Sequence, residues 1–208
     1  LGAMTTPSSQ AALTCLTQAI YYEAAFEPLQ GRRAVAQVVL NRMRHPSYPN
    51  SVCGVVYEGH TRRTGCQFSF TCDGSLLRPP APGAWREAQA IAKAALAGAV
   101  EESVGTATHY HADYVLPKWA FTLGKMAKIG QHIFYRFNGR AGSAAAFSSG
   151  YAGYEFVPSV DFAALRARAD EAGAMDLGEA AFSPGRTVAP HITERHAEND
   201  VGGRLDTT

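Results

Sequence analysis

Glu23 lies near the end of the segment Ala19-Ile20-Tyr21-Tyr22-Glu23-Ala24-Ala25-Phe26-Glu27-Pro28, where one helical pattern stops and another begins. Leu16 and Ala19, seven and four residues earlier, share roughly its face of a short amphipathic helix. A carboxyl beside an apolar stripe is partly desolvated, and desolvation raises its pKa. A carboxylic acid still protonated near neutral pH can give its proton to a leaving oxygen. The plainer use of such a residue is an ion pair with an arginine of the next helix, because structural pairs also perturb carboxylates.

Hydrolysis of a glycosidic bond needs a second carboxylate, roughly 5 to 9.5 Å from the first. The first 140 residues offer Glu27, Glu58 and Asp73, none in a compelling context. Glu27 starts the second helix, where the dipole favours its ionised form. Glu58 borders a loop, and Asp73 sits in a turn beside Cys72. One acid suffices where the substrate supplies the nucleophile. In peptidoglycan the 6-hydroxyl of N-acetylmuramic acid can attack its own anomeric carbon, so a single carboxyl serves first as acid and then as base.

Other polar residues could line a site. Cys66-Gln67-Phe68-Ser69-Phe70-Thr71-Cys72 alternates like a short strand, with Gln67, Ser69 and Thr71 on one face and Phe68 and Phe70 on the other. Three hydrogen-bonding side chains in a row suit an extended glycan, and equally suit a solvated sheet face. His109 and His111 share a strand face, and with His132 they could hold a zinc ion. No H-E-x-x-H helix supports that use, and polar lining is the simpler one. Tyr110 points the opposite way from these two histidines. Trp119 is a packing residue or a sugar platform.

The elements that must position these groups follow from periodicity and punctuation. Residues 9–25 read as a helix capped by Ser9, and Pro28 opens a second that His45-Pro46 ends. Ser51 to Tyr57 gives one or two more turns. Three prolines between 79 and 82 lead into a helix over 83–100. Residues 106–111 read as a strand, Pro117 and Trp119 open a helix to about Lys128, and 131–137 read as a further strand. A short helix is expected at 161–172, with the polar remainder poorly ordered. Helices first and short strands later give an α+β fold, mainly helical with a small antiparallel sheet.

The 208 residues suit one domain with an extension, and 46% hydrophobic content suits a packed core. No apolar run approaches the ~18 residues of a membrane span. Leu1-Gly2-Ala3-Met4 reads as a cloning remnant. Residues 1–140 carry 14 Lys and Arg against 8 Asp and Glu, and residues 141–208 carry 5 against 10. A basic body attracts anionic polymers, but no cluster of basic residues is interleaved with aromatics, which disfavours nucleic acid. Cys15, Cys53, Cys66 and Cys72 permit two disulfides in any of three pairings, and hence an oxidising compartment.

Taken in order, these pieces resemble the SleB/CwlJ type of spore-cortex-lytic, cell-wall hydrolase. The matching pieces are Ala-Ile-Tyr-Tyr-Glu-Ala-x-x-Glu-Pro (19–28), Gly31 with the run from Ala34 to Arg42, and Tyr48-Pro49-x-Ser51-Val52-Cys53. Gln67-Phe68-Ser69-Phe70, Ala107-Thr108-His109-Tyr110-His111, Trp119 and the run from Ile129 to Tyr135 follow. The family often has Arg-Gly where this chain has Ala25-Phe26. The match covers about residues 15–137, and the resemblance implies a lysozyme-like fold. The domain is expected over residues 9–140, after a remnant and arm at 1–8 and before an extension at 141–208. The resemblance implies lytic transglycosylase cleavage of the N-acetylmuramic acid to N-acetylglucosamine bond. The cysteines place the site of action outside the cytoplasm, and no cofactor or metal is expected. Glu23 takes the catalytic role, and Gln67, Phe68, Ser69, Thr71, Tyr110, His111 and Trp119 are expected around the glycan. A muramidase, a zinc amidase and a non-catalytic wall-binding module are the alternatives, the last with a protein partner recruited by the acidic tail.

Overall fold

The structure, a computed structural model, describes residues 7–62 and 65–171. The expectations for residues 1–6 and for the segment beyond 171 lie outside the described residues. Helix α1 (Pro7–Ala24) runs through the centre of the helical body. Helices α2 (Leu29–Arg44), α3 (Val52–Val56) and α4 (Pro82–Leu96) pack around it. Cys15, Leu16, Thr17, Ala19, Ile20 and Tyr21 of α1 are fully buried, and Tyr22 and Ala24 nearly so. A helix so covered is apolar most of the way round, not the amphipathic surface helix expected. It also begins by Pro7, so Ser9 lies inside it and does not cap it.

Strands β1 (His109–Ala112), β2 (Gly124–Ile129) and β3 (His132–Arg136) form an antiparallel sheet in the order β1-β3-β2. The fold is therefore α+β, mainly helical with one small sheet. Pairing extends one residue before β1, where Thr108 N donates to Tyr135 O at 2.9 Å.

Two expected elements are different. The stretch from Cys66 to Cys72 is not a strand: its second half, Ser69–Thr71, is a 3₁₀ turn. Cys66 and Cys72 are bridged with their Cα atoms 6.5 Å apart, whereas six strand residues would span about 20 Å. The ring closure folds the chain back and buries Phe68 and Phe70 together. The helix expected from Pro117 to Lys128 is a short 3₁₀ turn, Lys118–Thr122, followed by β2. Lysine, methionine and alanine favour helix, but the Gly130 turn (φ 56°) brings β2 against β3, and pairing overrides propensity. Helix α4 ends earlier than expected, at Leu96, before Gly98 with φ 105°.

The second disulfide joins Cys15 of α1 to Cys53 of α3. Residues after the sheet return over the helical body. Ser149 N donates to Arg44 O and Ala152 N to Asn50 O, each at 2.9 Å. Glu155 accepts from Val52 N at 3.0 Å and Cys53 N at 2.7 Å, satisfying amides at the start of α3. The final helix, α5 (Phe162–Glu171), packs near the turn Ser75–Leu77, with Leu165 buried.

Candidate active site

Glu23 occupies the last turn of α1, at the floor of a cleft of about 460 Å³ between the α1–α2 junction and the sheet. Phe26, Glu27 and Pro28 form one wall, and Ala112, Tyr114, Gln131 and His132 form the other. Glu23 as a residue is half-buried and lines that cleft. Burial pushes its pKa up to about 7, against a hydrogen bond from Tyr110 and the Arg42 charge, which pull it down, while the Asp73 charge adds to the rise. Among the described residues Glu23 makes no ion pair. Tyr110 Oη donates to its Oε2 at 3.0 Å. The helical arginine expected as a partner exists as Arg42 of α2, but it acts through space and is anchored elsewhere. Arg42 is fully buried, its Nε donates to Thr108 O at 2.6 Å, and its guanidinium lies between the Tyr48 and Phe68 rings.

The sheet wall is held by Glu27. Its Oε2 accepts from Gln131 N at 3.0 Å, and its carboxyl lies directly over Gly130. Burial raises the Glu27 pKa, and the Gln131 amide pulls it back. His132 is neutral, pushed down to about 4 by burial, and its buried Nδ1 has no hydrogen-bond partner among the described residues. Its ring lies 5.1 Å from that of Tyr110.

The other expected site residues are spread more widely. Tyr110 joins Glu23, although its body is buried. Ser69 is half-buried, and its carbonyl accepts from both Cys72 N and Asp73 N at 2.9 Å. Gln67 is buried, with Nε2 unpartnered among the described residues. Phe68 and Thr71 offer a glycan no surface. The Phe68 ring is packed on Arg42, and the Thr71 hydroxyl turns inward to Phe68 O at 2.8 Å. His111 is also buried, bonded through Nε2 to Tyr135 Oη at 2.9 Å. Trp119 packs over His109, His111 and Tyr135, with centroids 5.3 to 5.6 Å away, on the sheet face opposite Tyr110. The three histidines do not converge, because strand register puts His109 and His111 on one face and His132 on the other. No group of three potential ligands able to hold a metal is found among the described residues.

Phe26, Tyr114 and Gln131 were not singled out from sequence, and Glu27 and His132 were considered only as a second carboxylate and a zinc ligand. Phe26 and Tyr114 are 65% and 58% exposed on its two walls. Two exposed aromatics beside a polar run carried a weak signal, but only tertiary packing brings them to one cleft.

The structure resembles the catalytic domain of the germination-specific lytic transglycosylase SleB from Bacillus anthracis, with a TM-score of 0.51 and 29% identity over 65% of this chain and 100% of that one. Among curated proteins, the spore cortex-lytic enzyme of Bacillus cereus is 33% identical over 129 residues, 61% of this chain and 44% of the relative. That of Bacillus subtilis strain 168 is 31% identical over 122 residues, 57% of this chain and 35% of the relative. The chain thus spans less than half the length of these curated relatives. The sequence model of the Cell Wall Hydrolase family matches residues 26–135, which cover the cleft's sheet wall and most of the core, and the chain belongs to that family.

Proposed function

We propose that this protein is a peptidoglycan lytic transglycosylase that cuts between N-acetylmuramic acid and N-acetylglucosamine, with Glu23 as its acid. The observation that carries the reading is a carboxyl at a cleft floor whose pKa is raised to about 7. Glu23 protonates the glycosidic oxygen as the bond from the anomeric carbon breaks. Charge then develops on the sugar ring, and the new carboxylate stabilises it electrostatically in a partly dry site. Glu23 next takes the proton of the sugar's 6-hydroxyl as that oxygen closes on the anomeric carbon. The acid is restored and the product carries a 1,6-anhydro end.

Phe26 and Tyr114 suit the apolar faces of pyranose rings on the two walls. The side chains of Gln131 and His132 suit hydroxyl and N-acetyl groups. Two disulfides favour a site of action outside the cytoplasm. In the same reading, residues 9–140 are the catalytic unit, and the net-acidic extension 141–208 recruits a protein partner.

The test is digestion of purified sacculi with the protein and its Glu23→Gln variant, followed by mass spectrometry of soluble muropeptides. Anhydro ends, about 18 Da (one water) lighter than reducing ends, support a transglycosylase, because only the nucleophile differs. Reducing ends would assign a muramidase, and free stem peptides an amidase. Turnover retained by Glu23→Gln would remove Glu23 from the chemistry.

A further inference from the structure

The reaction above leaves one enclosed acid unused. Asp73 Oδ1 accepts from Ser75 N at 2.8 Å, but its Oδ2 is buried and has no hydrogen-bond partner among the described residues. A bare buried oxygen is costly, on the order of 1–3 kcal/mol, so fold stability alone gives no reason for it. The loop that carries it is fixed. Cys72 is tied to Cys66, Asp73 N donates to Ser69 O at 2.9 Å, and Gly74 takes the left-handed turn conformation at φ 89°. Phe70 of this loop stacks on Tyr22 at 4.7 Å, and Tyr22 is the residue before Glu23. The stack seats the loop against the end of α1, and the Asp73 charge acts on both Tyr22 and Glu23.

We propose that Asp73 is a positioning residue for Glu23: its carboxylate, with Oδ2 unpartnered among the described residues, opposes the ionisation of Glu23, holding the proton there until the glycosidic oxygen takes it and driving its recovery from the sugar 6-hydroxyl. The proposal rests on Glu23 being the proton donor. The charged and polar groups around the pair fit it. Tyr110 of β1 hydrogen-bonds Glu23, the Arg42 and Asp73 charges act on it from α2 and the loop, and Glu27 and neutral His132 line the same cleft. Asp73 faces Ser75 and the Arg78 charge, which favour its ionised form against burial. Burial lifts Asp73 to about 6, below the value of about 7 for Glu23. The two titrate as a coupled pair.

Asp73→Asn keeps an oxygen for the Ser75 amide and removes the charge. A carboxyl-carbon NMR titration should then show the Glu23 midpoint falling by roughly one pH unit. In sacculus digestion the alkaline limb of the rate profile should shift down equally, so the wild-type advantage grows to about tenfold between pH 5 and pH 8. An unmoved Glu23 midpoint overturns the proposal. So does a folded variant that is inactive at every pH, because Asp73 would then act on the substrate directly. Should the variant not fold, the wild-type titration decides. Glu23 must show a second inflection where Asp73 titrates, and a single inflection overturns the proposal. The NMR readout does not depend on turnover, so it can fail or succeed independently of the Glu23 assignment tested by Glu23→Gln.

Discussion

Tyr110 of β1 donates its hydroxyl to Glu23 Oε2 of α1 at 3.0 Å, across 87 residues of chain. It is the direct hydrogen bond from the sheet to the acid, and it favours the ionised carboxylate. Tyr110→Phe should raise the Glu23 pKa further and move the alkaline limb of the digestion rate to higher pH. The lost orientation should lower kcat roughly tenfold. A rate profile against pH checks both signs, and a limb that moves down would contradict the assignment.

The raised Glu23 pKa also makes a stability claim. The folded group, at about 7, binds its proton more tightly than the ordinary carboxyl value of 4.5. Its contribution to stability is therefore full below about pH 4.5 and is lost as pH rises through 7. Glutamine carries no such dependence. Glu23→Gln should gain Tm relative to the wild type as pH rises from 4.5 to 7 and then level off. Calorimetry across that range checks it, and a difference independent of pH would speak against a desolvated acid.

Phe26 and Tyr114 stand 65% and 58% exposed on the two walls of the cleft. Exposed aromatics contribute little to folding and can stack on sugar rings. Phe26→Ala and Tyr114→Ala should leave Tm within about 1 °C and weaken glycan binding roughly three- to tenfold each, for ~0.5–1.5 kcal/mol of ring contact. Binding of soluble glycan fragments to the Glu23→Gln background measures this without turnover.

Gly130 turns β2 into β3 with φ 56°, directly beneath the Glu27 carboxyl. An added methyl would meet Glu27 Oε2 and lie 2.8 Å from Pro28 Cδ. Gly130→Ala should cost about 2 kcal/mol or more, from both contact and backbone conformation. It should also slow turnover, because the displaced hairpin carries Gln131 and His132. Denaturant unfolding and sacculus digestion read the two effects separately.

The Cys15–Cys53 bridge closes a sequence separation of 38 between α1 and α3. Replacing both cysteines by alanine should cost about 3–4 kcal/mol, or roughly 10 °C in Tm for a domain of this size. Reduction of the wild type, which also opens the Cys66–Cys72 bridge, should lower Tm by at least that much in calorimetry.

The helical half of the fold was readable because its signals are local. Ala34, Val35, Val38 and Val39 repeat at helical spacing, His45-Pro46 stops α2, and Ser51 caps α3 by accepting from Gly54 N. The last strand, 131–137, was readable for the same reason and is observed as His132–Arg136. Residues 66–72 and 124–129 misled because their conformations are set by partners distant in sequence or by a covalent closure. A Cys66–Cys72 ring curls a sequence that alternates like a strand, and β3 recruits a sequence that favours helix.

The same division holds for the site. Glu23 could be singled out from its place at the end of an apolar helix, since burial of one face follows from spacing alone. The sequence also sufficed for the α+β class and for a family resemblance. It could not pair the cysteines, bring Tyr110 to Glu23, put Phe26 and Tyr114 on one cleft, or show that Asp73, dismissed as a turn residue, acts on Glu23. Those relations join residues far apart along the chain. Periodicity reports which face of an element is buried, whereas the field at a carboxyl depends on which other elements arrive beside it, and only tertiary packing decides that.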